Sequence, residues 1–130
     1  MKTEYDLAGK VIGLAMKVHS TLGAGFLESV YHKALAHELT KAEIPFESEK
    51  SLNVAYDGIL VGEFAADLLV GNELIVELKS VQTLAAVHEV QTVNYLVATG
   101  IDVGLLINFG AERLEFKKKF RLPKQKLLTE

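Results

Sequence analysis

The chain has no cysteine. That removes disulfides, thiolate nucleophiles and Cys-ligated zinc from consideration, and makes the cytoplasm the expected location. It also lacks any apolar run near the ~18–20 residues needed to cross a bilayer, so no membrane association is expected. Nothing reads as a secretion leader, because Glu4 and Asp6 precede the first apolar positions. There is no internal repeat and no low-complexity linker, so the 130 residues are expected to form one domain. No Ser-His-Asp arrangement, Walker loop or dinucleotide fingerprint is present either.

Nor is there a uniform excess of charge of one sign. The net charge is −3, but it is unevenly spread. Residues 117–130 hold Lys117, Lys118, Lys119, Arg121, Lys124 and Lys126 against Glu130 alone. This basic tail can touch phosphate or simply be solvated. The body before it is strongly acidic, which argues against tight, nonspecific duplex binding, since that depends on neutralising many phosphates.

The order of elements follows from periodicity. Leu7, Val11, Leu14 and Val18 recur at helical spacing, predicting a first helix from Asp6 to Leu22 that the glycines of "LGAG" terminate. A second helix, Leu27 to Glu43, ends ahead of Pro45. Three strand-like runs follow, "SLNVAY", "ILVGEFAADLLV" and "ELIVELKS", separated by the turn pairs Asp57-Gly58 and Gly71-Asn72. They predict a three-stranded antiparallel meander. A third helix is expected from Leu84 to Thr99, with Val87, Val90, Val93, Asn94 and Val97 as the face that packs on the sheet. "VGLLINFG" and "RLEFKKKF" close the chain as a buried strand and a half-exposed one, which could leave an edge open for a homodimer. The predicted order is α-α-β-β-β-α-β-β.

Charges within the apolar meander call for a reason. Glu77 and Lys79 share one face of their strand by alternation. Asp67 joins them only if the turn is odd in length, and that length, or an equivalent bulge, is expected: Gly71-Asn72-Glu73 as a three-residue connection sets Val70 opposite Leu74 and Asp67 opposite Glu77. Opposed residues on one face have Cβ atoms about 4.5–5.5 Å apart. Two carboxylates that close repel unless a proton or cation lies between them, and a hard divalent ion, Mg²⁺ or Mn²⁺, suits such a pair. On spacing alone, a plain cross-strand ion pair with Lys79 is the commoner arrangement of such a triplet, and the site gains only with the third helix. On the third helix, His88, Gln91 and Tyr95 form a polar-aromatic stripe, either facing the acids or showing the helix's wet side. Glu28 in the first turn of the second helix is placed to cap it, with Tyr31 nearly on the same face. His19, His32 and His37 have no metal-binding spacing and read as surface residues.

Three stretches together resemble a known family. "GFLESVY" at 25–31 matches a G-x-x-E-x-x-Y motif, Asp67 to Lys79 matches D-x9-E-x-K, and "QTVNY" at 91–95 matches Q-x-x-x-Y. The set is similar to the GxxExxY family of small PD-(D/E)XK nuclease-like proteins, over about residues 7–120. The resemblance implies an α/β (α+β) fold with a restriction-endonuclease-like core, a central mixed sheet flanked by helices. It implies metal-dependent hydrolysis of phosphodiesters in DNA or RNA. Asp67, Glu77 and Glu28, with the backbone carbonyl of Leu78, would hold the metal, and Lys79 would position the attacking water. Gln91 and Tyr95 would orient the phosphate with His88 beside them, and Tyr31 would be structural. Ala66 stands where the superfamily's name has proline. The alternative is a noncatalytic binding or assembly module that keeps the fold, which the acidic body favours.

Overall fold

The computed structural model describes residues 3–121. Its elements follow the predicted order: α1 (Thr3–Leu22), α2 (Glu28–Lys41), β1 (Phe46–Tyr56), β2 (Ile59–Val70), β3 (Leu74–Lys79), α3 (Ala86–Thr99), β4 (Val103–Asn108) and β5 (Glu115–Phe120). The five strands form one sheet in the order β1-β2-β3-β4-β5. β1, β2 and β3 make the antiparallel meander, α3 crosses over so that β4 lies parallel to β3, and β5 returns antiparallel at the edge. The sheet is mixed and flanked by helices on both faces, a restriction-endonuclease-like arrangement.

Alternation along the central strands divides the core in two. Leu74, Val76 and Leu78 of β3 and Val103, Leu105 and Ile107 of β4 meet Val11, Ala15 and Val18 of α1 and Leu35 and Leu39 of α2. Ile75 and Leu69, on the other face, meet Tyr95 and Leu96 of α3. Because β3 and β4 are covered on both sides, nearly all their residues are buried, as parallel neighbours in such sheets are.

Several boundaries and one face differ from the sequence-based expectation. β1 begins at Phe46, earlier than "SLNVAY", because Phe46, Glu47 and Ser48 pair with Val70, Leu69 and Leu68. The helices shift by a few residues at their ends, as caps commonly do. As "RLEFKKKF" predicts, Lys117 to Lys119 of the basic stretch lie on a strand, β5, and Lys119 pairs with Glu89 at 2.8 Å. Lys124 and Lys126 lie outside the described residues. The larger correction concerns α3. Val87, Val90 and Val97 face solvent, and Thr92, Tyr95 and Leu96 face the sheet. Gly104 on β4 explains the rotation, since a Cβ there would lie 3.1 Å from Thr92 Cγ2 and 3.2 Å from Leu96 Cδ2. The helix is seated on a hole in the sheet, and the residues above it set its angle.

Candidate active site

The connection between β2 and β3 has the odd length. Gly71 and Asn72 both adopt positive φ (58° and 59°), the Glu73 N–H bonds back to the Val70 carbonyl, and Val70 pairs with Leu74. Counting back, Leu68 pairs with Val76, and there the regular ladder between the strands ends. The next residues are Asp67 and Glu77.

At this point side chains replace the backbone ladder. The Asp67 N–H donates to Glu77 Oε2 at 2.9 Å, and the Leu78 N–H donates to Asp67 Oδ2 at 2.7 Å. The local backbone is irregular on the other side too: the β1–β2 register skips from Ser48↔Leu68 to Lys50↔Ala66, and Glu49, between them, has φ of 52°. Ala66 and Leu68, which simple alternation would put on one face, belong to opposite cores. Asp67 sits opposite Glu49 at the one position the ladder there leaves unpaired, with the register the same on both sides.

Each acid therefore spends one oxygen on a backbone N–H. No hydrogen bond among the described residues engages Asp67 Oδ1 or Glu77 Oε1, and no buried side-chain oxygen is left without a partner. The two free oxygens consequently reach the surface, although Glu77 as a whole is only 5% exposed. Burial pushes the Glu77 carboxyl up to about 8, with Asp67 adding to the rise, while the Asp67 N–H and Lys79 oppose it and Glu28 adds a little more. Burial likewise raises Asp67, against the Leu78 N–H, His32 and Lys79, and Glu49 raises it slightly. Two acids held side by side above their ordinary range, each with a bare oxygen at the surface, are the donor set a hard cation wants. Among the described residues, no three acids or histidines form a ready-made cage.

The other predicted residues arrange around this pair. Lys79 is half-buried, in the field of both acids, and its ammonium makes no ion pair or hydrogen bond among the described residues. Glu28 opens α2 and its charge reaches Glu77. Tyr95 lies against Phe64 (ring centroids 5.6 Å), and its hydroxyl is raised by burial first, then by Glu77 and Asp67. Gln91 is exposed one turn before it. His88 is accounted for differently: its Nδ1 accepts the Ala85 N–H at 3.0 Å and so closes the start of α3. Tyr31 is wholly buried, stacked on Phe109 at 4.6 Å, with its hydroxyl bonded to the Gly23 carbonyl and the Phe26 N–H. Leu78 puts its side chain into the core.

Two neighbours of Asp67 escaped the sequence reading. His32 stands four residues after Glu28, on the same helix face, and that spacing was the available signal. Glu49 gave none, because it lies opposite Asp67 only through the one-residue register shift at Val54/Ala55, and counting back from the Asp57-Gly58 turn alone would put Ser48 there. Asn108 was also missed, and it is completely buried. Its Oδ1 accepts from the Val81 and Gly110 N–H groups, and its Nδ2 donates to the Val81 carbonyl and Glu115 Oε1. It thereby fixes the segment leaving Lys79 for α3.

The sequence model of the PD-(D/E)XK nuclease superfamily matches residues 5–120, nearly the whole chain. The chain belongs to the PD-(D/E)XK nuclease superfamily. Among solved structures, one titled "Crystal structure of SSO0001" matches with a TM-score of 0.58 at 18% identity, over 78% of this chain and 54% of that one. The likeness is one of fold, and the chain spans about half the length of that protein. A search of curated proteins found no match. PD-(D/E)XK nucleases generally use divalent metal ions, and the paired surface oxygens of Asp67 and Glu77 fit such an ion.

Proposed function

We propose that this PD-(D/E)XK protein, of the GxxExxY branch, is a divalent-metal-dependent nuclease that hydrolyses phosphodiester bonds in DNA or RNA. One observation carries the reading: Asp67 and Glu77 each bind a backbone N–H with one oxygen and present the other at the surface, beside the Lys79 ammonium, which has no ion pair among the described residues. Asp67 and Glu77 would hold Mg²⁺ or Mn²⁺, with the Leu78 carbonyl and Glu28 completing the protein's share. The bound ion supplies positive charge to the crowded phosphate and makes water a better nucleophile.

The protein's own groups do the rest. The Lys79 ammonium orients the attacking water and offsets negative charge growing on the phosphate oxygens. The Tyr95 hydroxyl, raised by burial and then by the neighbouring acids, keeps its proton and can donate a hydrogen bond to a phosphate oxygen. Gln91, one turn earlier, adds an amide donor at the same rim. As the water oxygen bonds to phosphorus it gives up a proton to solvent, the P–O ester bond breaks and the departing oxygen takes a proton from solvent.

A noncatalytic binding module is the second reading, favoured by the acidic body. Incubation of the purified protein with Mn²⁺ or Mg²⁺ and a panel of single- and double-stranded DNA and RNA tests the choice. The nuclease reading expects cleavage by the wild type and none by Asp67→Asn or Lys79→Met, with unchanged circular dichroism. Intact substrates throughout, and no Mn²⁺ binding heat lost in Asp67→Asn, would leave the binding module.

A further inference from the structure

The loop before α2 presents apolar surface in a way that its anchoring makes unusual. Phe26 is 47% exposed and Leu27 76%. Single exposed apolar residues are ordinary, but loose loops usually carry them. This loop is fastened at three points. The Tyr31 hydroxyl donates to the Gly23 carbonyl and accepts the Phe26 N–H at 3.1 Å, and Ser80 Oγ donates to the Phe26 carbonyl at 2.6 Å. The Phe26 ring also meets the Tyr31 ring edge-on at 6.1 Å, and Tyr31 is itself stacked on Phe109. Gly25, at φ of 115°, permits the turn this needs. The result is a half-exposed ring on a rigid mount.

Its place in the fold says what it meets. Ser80 directly follows Lys79, and Glu28 comes two residues after Phe26, so the loop borders the acids. Any phosphodiester that reaches Lys79 carries a base on either side. The body of the chain is also net acidic, so phosphate charge alone holds a strand there only weakly. Stacking of a base on an aromatic ring supplies affinity without charge, and it needs an open base face, which a duplex hides between neighbouring pairs.

Resting on the nuclease reading above, we propose that Phe26, flanked by Leu27, is a base-stacking platform that makes this site select unpaired nucleotides next to the bond it cuts. The G-x-x-E-x-x-Y motif then has a shared physical purpose. Tyr31 holds the loop, and the loop holds the ring.

The chain contains no tryptophan, so Phe26→Trp installs a sole fluorescent reporter at the platform. With Ca²⁺ in place of Mg²⁺, it is titrated with a fluorescein-labelled 12-nucleotide single strand of mixed sequence and with the corresponding blunt duplex. The single strand is expected to quench the tryptophan, in step with its own rise in anisotropy, and the duplex is not. Phe26→Leu, which keeps apolar bulk for the fold, is expected to weaken single-strand binding about 5- to 100-fold while leaving duplex binding and the Mn²⁺ heat within twofold. Binding with no quenching, or equal weakening for both substrates, overturns the platform and leaves the nuclease reading standing. Absence of any anisotropy change with the wild type overturns both.

Discussion

Asp67 and Glu77 complete each other's strand: the backbone N–H of Asp67 is held by the Glu77 carboxylate, and the Asp67 carboxylate holds the N–H of Leu78, the residue after Glu77. The sheet thus stays hydrogen-bonded where it opens, and both acids are fixed by main chain rather than by flexible partners. Such anchoring sets the site's geometry in advance of any ligand. It also concentrates negative charge in a buried place, which has consequences for stability and for binding.

The first consequence concerns pH. The Glu77 carboxyl stands at about 8 in the folded chain, against an ordinary value of 4.5. A folded pKa above the unfolded one means that, as pH rises from about 4.5 to 8, the folded chain keeps a proton that the unfolded chain releases. Stability of the metal-free protein therefore falls through that window, by about 3–5 kcal/mol for this group, and Asp67 shifts in the same direction. Glu89 works oppositely, since Lys119 holds it below its ordinary range, and its effect lies at more acid pH. Urea melts in EDTA at pH 5.5 and 8.5 should show the loss, and Mn²⁺ should restore the melt at 8.5. Equal or greater stability at 8.5 without metal would contradict the burial of charge at Glu77.

Cation affinity should climb over the same range. Mn²⁺ must displace the Glu77 proton, so calorimetry from pH 6 to 9 should show tighter binding until about pH 8 and little change beyond. Proton release measured in two buffers of different ionisation heat should approach one per ion below that point. A flat profile would mean that the ion does not use Glu77.

Glu77→Gln separates stability from function. The amide oxygen can still accept the Asp67 N–H, while the repulsion and the buried charge vanish. The variant is expected to be more stable than wild type at pH 8 in EDTA, by about 1–3 kcal/mol, and to bind no Mn²⁺. Thermal denaturation read beside calorimetry checks both halves. A less stable variant would show that the carboxylate's charge is needed by the fold itself.

How much of this was legible beforehand differs between the fold and the site. The apolar run in "ELIVELK" and the helical spacing in α1 mark a buried strand and a packed helix, so the elements and their order could be read from residues. The register of Asp67 against Glu77 could be narrowed to two loop lengths, because Gly71-Asn72 tolerates either. Other features depend on partners distant in the chain. The outward face of Val87, Val90 and Val97 follows from Gly104 beneath Thr92 and Leu96, and a helix's own periodicity cannot report a missing side chain on another strand. Glu49 lies opposite Asp67 only through the register shift at Val54/Ala55, and Asn108 looks like any polar residue ending an apolar run.

Tyr31→Phe tests the loop's fastening. Removing the hydroxyl frees the Gly23 carbonyl and the Phe26 N–H while leaving the stack on Phe109 intact. A loss of about 1–2 kcal/mol is expected, with faster hydrogen exchange confined to residues 23–27. Protection unchanged in that loop would show that Ser80 alone holds it.

Asn108 provides the sharpest test of how the scaffold serves the site. Its amide satisfies both backbone groups of Val81, the Gly110 N–H and a Glu115 oxygen, all around a residue with no exposure. Asn108→Ala strands those groups in the interior and is expected to cost about 2–4 kcal/mol. Asn108→Asp is more informative. Its Oδ1 can keep the two N–H groups, but its second oxygen would face the Val81 carbonyl and the Glu115 carboxylate, where an N–H now donates. Protonation would turn that oxygen back into a donor, so the deficit should be large at pH 8 and shrink towards pH 5, after subtraction of the wild type's own change over that range. Because the segment through Val81 links Lys79 to α3 and its Tyr95, cleavage should weaken in the same order as stability. A pH-independent deficit in Asn108→Asp would mean that the amide nitrogen's two bonds are not what holds this segment in place.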